Sequence, residues 1–108
     1  MPTTDDKRSL HARLVDRILH GRGQAPPDQR EAAFENAGLA EPARSLVEKV
    51  ATESARVTDE DFAAARAAGF TDDQVFELVI CAAVGEATRQ YNAALTALAE
   101  ATGGEAGG

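Results

Sequence analysis

At 108 residues the chain suffices for one small domain, or for one subunit whose core a partner completes. Apolar residues make up 44% of it, but much of that share is alanine and only 5% is aromatic, so the core is thin and oligomerisation is expected. The net charge of −7 lies wholly in residues 59–108, which carry two basic and nine acidic side chains; so acidic a half repels phosphate backbones and anionic lipid, which argues against both as partners.

The chain opens MPTTDDKRSL, with no apolar signal core, and no run approaches the ~20 residues of a membrane helix. Cys81 is the only cysteine, so neither an intrachain disulfide nor a zinc-finger spacing is possible. A cytoplasmic location is expected.

Helical spacing recurs throughout, and no segment alternates as a half-buried strand does. In the first predicted helix Leu10, Leu14 and Ile18 fall one turn apart, Val15 and Leu19 widen the stripe, and Gly21 stops it. Asp5 and Asp6 suit the positive end of its dipole. After the linker GRGQAPP, Pro27 opens a short helix through Phe34 that Gly38 is expected to end. Pro42 opens a third, with Leu46, Val47, Val50 and Ala51 as its apolar stripe. Thr58-Asp-Glu-Asp and Thr71-Asp-Asp-Gln then start two more; Thr71 with Gln74 is a capping box, and Thr58 with Asp61 approximates one. Gly69 makes AAGFT a tight turn between them. The last helix is expected from Asp72 to about Ala101, with residues 103–108 as a disordered tail. The reading is a single all-α domain over residues 1–102, ending in an antiparallel helical hairpin.

Chemistry is sparse. His11 and His20 lie nine residues apart and point to opposite sides of a helix, so they cannot share a metal. No phosphate loop, nucleophile elbow or HExxH motif is present, and no cofactor is implied. Asp59, Asp61, Asp72 and Asp73 sit in first turns, where capping and the helix dipole account for acids. Cys81 lies in the apolar run VFELVICAAV and reads as a core residue with a raised pKa. Glu77 interrupts that run and needs a partner; Arg66 or a neighbouring subunit is expected to supply it.

The segment AAARAAGFTDDQVFELVICAAVG, Ala63 to Gly85, resembles the alkylhydroperoxidase D-like and carboxymuconolactone decarboxylase superfamily, and the resemblance extends over residues 43–100. Members carry a C-x-x-C-x-x-x-H helix, a glycine turn, then a capped apolar helix. The resemblance implies an alkylhydroperoxidase D-like helical fold completed by assembly into trimers or hexamers. It also places the two redox cysteines at Ser54 and Val57 and the histidine at Asp61. With all three replaced, thiol peroxidase activity is not expected.

Two functions follow from the resemblance. The favoured one is a redox-inactive, non-catalytic homo-oligomeric scaffold or regulatory partner of another protein. The alternative is a cofactor-free, decarboxylase-like enzyme acting on a small lactone or keto acid at a subunit interface, with Glu48, Glu53, Arg56 and Asp61 as candidate site residues. Residues 43–100 hold no histidine, so its base would be a tuned carboxylate. Assembly is expected through Val75–Val84, a helix apolar on all sides, with Gly85 allowing another backbone to approach.

Overall fold

A computed structural model describes residues 4–106, and the side chains of 8–102. The described residues form five α-helices and one 3-10 turn, with no strand: α1 (Thr4–His20), α2 (Pro27–Glu35), α3 (Ala43–Thr52), a 3-10 turn (Ser54–Arg56), α4 (Asp59–Ala67) and α5 (Asp72–Ala106). The all-α reading holds.

Local chemistry sets most boundaries. Pro27 occupies the first turn of α2, where its missing N–H costs nothing. The helix ends at Asn36, not Gly38: Asn36 takes the left-handed conformation at φ 53°, and its N–H reaches back to the Ala33 carbonyl. At α4 the Thr58 N–H donates to Asp61 Oδ2 at 2.9 Å. At α5 the box closes in both directions, Thr71 N–H to Gln74 Oε1 at 2.9 Å and Gln74 N–H to Thr71 Oγ1 at 3.1 Å. Between them Gly69 has φ 103°, which an L side chain resists.

Helix α5 extends through Gly103 and Gly104 to Ala106, where a tail was expected; residues 107–108 lie outside those described. It is the axis of the molecule, and α2 and α3 are its main partners, ahead of the hairpin neighbour α4. Its inner face supplies Val75, Leu78, Cys81 and Ala82 to the core. One cluster joins Leu78, Cys81 and Ala82 to Ala25, Ala33, Ala43 and Val47. A second joins Val75 to Leu46 and Ala65 under Phe62 and Phe70.

Two packing expectations need correction. Helix α1 reaches the core only through its C-terminal half, at Ile18 and Leu19, while His11 touches α5 at Thr88; Leu10 and Leu14 are 60% and 50% exposed. The backbone that approaches Gly85 belongs to the same chain, because a Cβ there would overlap the Phe34 carbonyl of α2. Arg89 Nη1 caps that carbonyl at 2.6 Å. A second subunit is therefore not needed to cover Val75–Val84 on its inner side.

Candidate functional site

The four candidate residues fall around the junction of α3, the 3-10 turn and α4. Helix α3 carries Glu48 and ends at Thr52; Glu53 leads into the turn that carries Arg56, and Asp61 lies in the first turn of α4. Glu48, Glu53 and Arg56 share a shallow groove of about 210 Å³ with Ser45, Lys49 and Thr52. Asp61 does not line it.

The pairings are structural in character. Arg56 Nη1 meets Glu53 Oε2 at 2.7 Å, with both side chains at least half exposed. Such a surface pair contributes under ~1 kcal/mol and is screened by salt. Asp61 lies 2.8 Å from Lys49 Nζ on one side and accepts the Thr58 N–H on the other. The Lys49 hydrogen bond, then the Thr58 N–H, hold its carboxyl below the ordinary 3.8. A general base at neutral pH needs the opposite shift. Glu48 stands on the ridge towards a second open groove, about 630 Å³, under the α2–α3 connection beside Arg44. The site is polar and reached by an arginine, but it lies open to water in the single chain.

The positions that the resemblance assigns to a redox centre do not share a helix. Ser54 is exposed in the 3-10 turn, Val57 follows in extended backbone, and only Asp61 lies in α4. Cys81 is 1% exposed beneath α1, its Sγ 3.9 Å from the Ile18 carbonyl. Burial pushes its thiol up to about 11, so a negligible fraction is thiolate at neutral pH.

Glu77 does not pair with Arg66, which instead meets Asp72 at 2.6 Å. Its carboxylate is gripped by the α1–α2 connection: the Gln24 N–H reaches Oε1 at 2.7 Å and Oε2 at 2.9 Å, and the Ala25 N–H reaches Oε2 at 2.6 Å. A Cβ at Gly23 would lie 2.5 Å from Glu77 Oε1, so a side chain there would have to displace the carboxylate from this grip. Beside it Arg30, 4% exposed, caps the end of α1 by donating from Nη1 to the Ile18 and Gly21 carbonyls at 3.2 and 2.9 Å. Sequence reasoning missed Arg30. The available signal was its position one turn before Ala33 and Phe34, the residues that α2 turns inward.

Among the described residues no group of three or more His, Cys, Asp or Glu side chains could hold a metal, and no helix is long and apolar enough to cross a membrane. His11 contacts Thr88 Oγ1 at 3.0 Å, and His20 lies between Asp16 and Glu31. No family model, curated protein or solved structure matches the chain.

Proposed function

We propose that this chain is a redox-inactive, non-catalytic helical module that assembles with copies of itself, a cytoplasmic scaffold or regulatory partner of the alkylhydroperoxidase D-like and carboxymuconolactone decarboxylase-like kind. The observation that carries the reading is the outer face of the molecule. Leu10, Leu14, Phe76, Tyr91 and Leu98 are each 47–64% exposed, in a chain with only five aromatic residues. Large apolar groups concentrated on two adjoining helices mark an association surface. Trimers or hexamers are the states the resemblance implies.

Carboxylate catalysis has weaker support. Asp61 is tuned away from neutrality, and Glu53 and Arg56 satisfy each other at the rim of an open groove. Light scattering after size exclusion tests the proposal. The expected mass is a multiple of 11.3 kDa at high micromolar concentration. A mass of one chain at that concentration rejects the assembly.

A further inference from the structure

Helices α1 and α5 run antiparallel where they meet: the Ile18 carbonyl lies 3.9 Å from Cys81 Sγ, and His11 Nε2 lies 3.0 Å from Thr88 Oγ1. The two contacts are seven residues apart on either helix, so the pairing places Ala12 level with Ala87 and Arg8 level with Tyr91. Along this stretch the helices leave a groove of about 790 Å³ between them, within the ~300–1,000 Å³ range of ligand clefts. On α5 it runs from Ala87 to Thr96, about 14 Å at ~1.5 Å per residue.

The lining divides by chemistry. Ala87, Tyr91 and Leu95 fall one turn apart on α5 and make an apolar strip along the groove, which Ala12 of α1 extends at the Ala87 end. Asn92 and Thr96 lie beside the strip at the other end, together with Arg8 of α1, so that a carboxamide, a hydroxyl and a guanidinium gather there. Between the two ends His11, held by Thr88 Oγ1, stands 6.3 Å from the Tyr91 ring, centroid to centroid, with the planes tilted by 31°. No carboxylate is among the described residues that line the groove. The sequence keeps acid away as well: α5 has none from Ala87 to Ala99, although residues 59–108 hold nine.

We infer that this groove binds an amphipathic monocarboxylate, with the carboxylate at Arg8 and the apolar body laid along the Tyr91 strip towards Ala12 and Ala87. A guanidinium fork matches a carboxylate through two parallel N–H···O bonds, and the Asn92 carboxamide and the Thr96 hydroxyl are further donors at the same end. One guanidinium balances one negative charge. A phosphate monoester would bring a second charge that no other described lining residue neutralises, in a chain whose net charge is already −7. A cationic ligand would find no carboxylate there. The body can be alkyl or aryl, since both lie flat against alanine, leucine and an aromatic ring. Binding here does not depend on the self-assembly proposed above, although Tyr91 belongs to that surface too.

Tyr91 is the only tyrosine and the chain has no tryptophan, so intrinsic fluorescence reports on the groove directly. Titrating the full chain with octanoate and, separately, with phenylbutanoate should change that emission to saturation below ~1 mM for at least one of them, and the tighter of the two identifies the body as alkyl or aryl. Octanol and phenylbutanol, which lack the carboxylate, should bind about tenfold more weakly, and Arg8→Gln should weaken the acids by about the same factor, the effect of losing a charge-assisted hydrogen bond. Arg13→Gln removes the same charge from another face of α1 and should bind as wild type does. Both arginines are exposed, so circular dichroism should show an undiminished helical signal in each variant. The binding site is overturned if neither acid saturates the emission, if the alcohols match the acids, or if Arg8→Gln and Arg13→Gln behave alike. Light scattering on the same samples separates this result from assembly. A mass that falls in Arg8→Gln while neither acid binds gives the groove to a second copy and overturns the ligand; a single-chain mass rejects the assembly and leaves the binding result standing.

Discussion

His20 lies where a lone surface histidine gains two partners. Its Nδ1 is 3.0 Å from Asp16 Oδ1 one turn earlier, and its Nε2 is 2.5 Å from Glu31 Oε1 on α2. The Glu31 hydrogen bond, then the Asp16 one, raise its pKa above the ordinary 6.5. A folded-state pKa raised above the unfolded value means that protonation favours folding. The contribution is fully present below about 6.5 and is lost as pH rises through the folded pKa. Proton NMR of the imidazole should show His20 titrating above 6.5 in wild type and falling back towards that value in Glu31→Gln. An unshifted titration in wild type would show that the pair with α2 does not form in solution. His11 has no carboxylate partner of this kind; it contacts the Thr88 hydroxyl and lies 6.3 Å, centroid to centroid, from the Tyr91 ring.

Among the elements, the crossing of α2 and α5 is the contact on which the fold depends. Gly85 lets α5 lie directly against the Phe34 carbonyl, and Arg89 closes the end of α2 at the same atom. Alanine at position 85 would gain ~1 kcal/mol of helix propensity. Its methyl would meet backbone, which no rotamer change relieves, so the overpacking cost of about 1–3 kcal/mol or more prevails. Gly85→Ala should therefore lower the melting temperature by several degrees, read by circular dichroism. An unchanged or higher melting temperature would mean that the helices do not cross here.

What could be read in the sequence divides along the same line. The Thr71–Gln74 box, the Gly69 turn and the buried stripe of α3 were legible, because each is fixed within a few residues. The close approach at Gly85 was also legible, but not the identity of the approaching backbone, since α2 lies 50 residues upstream. Leu10 and Leu14 fit a helical stripe perfectly well and are exposed all the same; periodicity shows that a face is apolar without showing what covers it. Asn36 ended α2 ahead of the glycine because its side chain tolerates the left-handed conformation. Glu77 was recognisable as a group in need of partners, yet its partners are backbone N–H groups that no sequence pattern marks. Of the candidate site, the clustering of Glu48, Glu53 and Arg56 followed from their nearness in sequence. The diversion of Asp61 to Lys49 did not, because it depends on how α4 packs against α3.

At the scale of the whole molecule, the chain measures 56 × 28 × 22 Å, and the long dimension is the run of α5. The buried positions of α5 end at Gly85, and the helix continues for four more turns through Leu98 with little to lean on except α1. Ordering so long an exposed helix has a conformational cost that helix propensity alone barely offsets. Assembly through the outer face supplies the missing burial. Sedimentation equilibrium of wild type beside Leu98→Glu is the most direct measurement of this claim. Leu98 is 60% exposed in the single chain, so the substitution should leave the monomer fold intact while placing an unpaired carboxylate in the contact, at a cost of several kcal/mol. Wild type is predicted to sediment as a multiple of 11.3 kDa and Leu98→Glu, with undiminished helical signal, as smaller species or a single chain. Equal masses for the two proteins, whether both assembled or both single chains, would contradict the assignment of assembly to the outer face of α5.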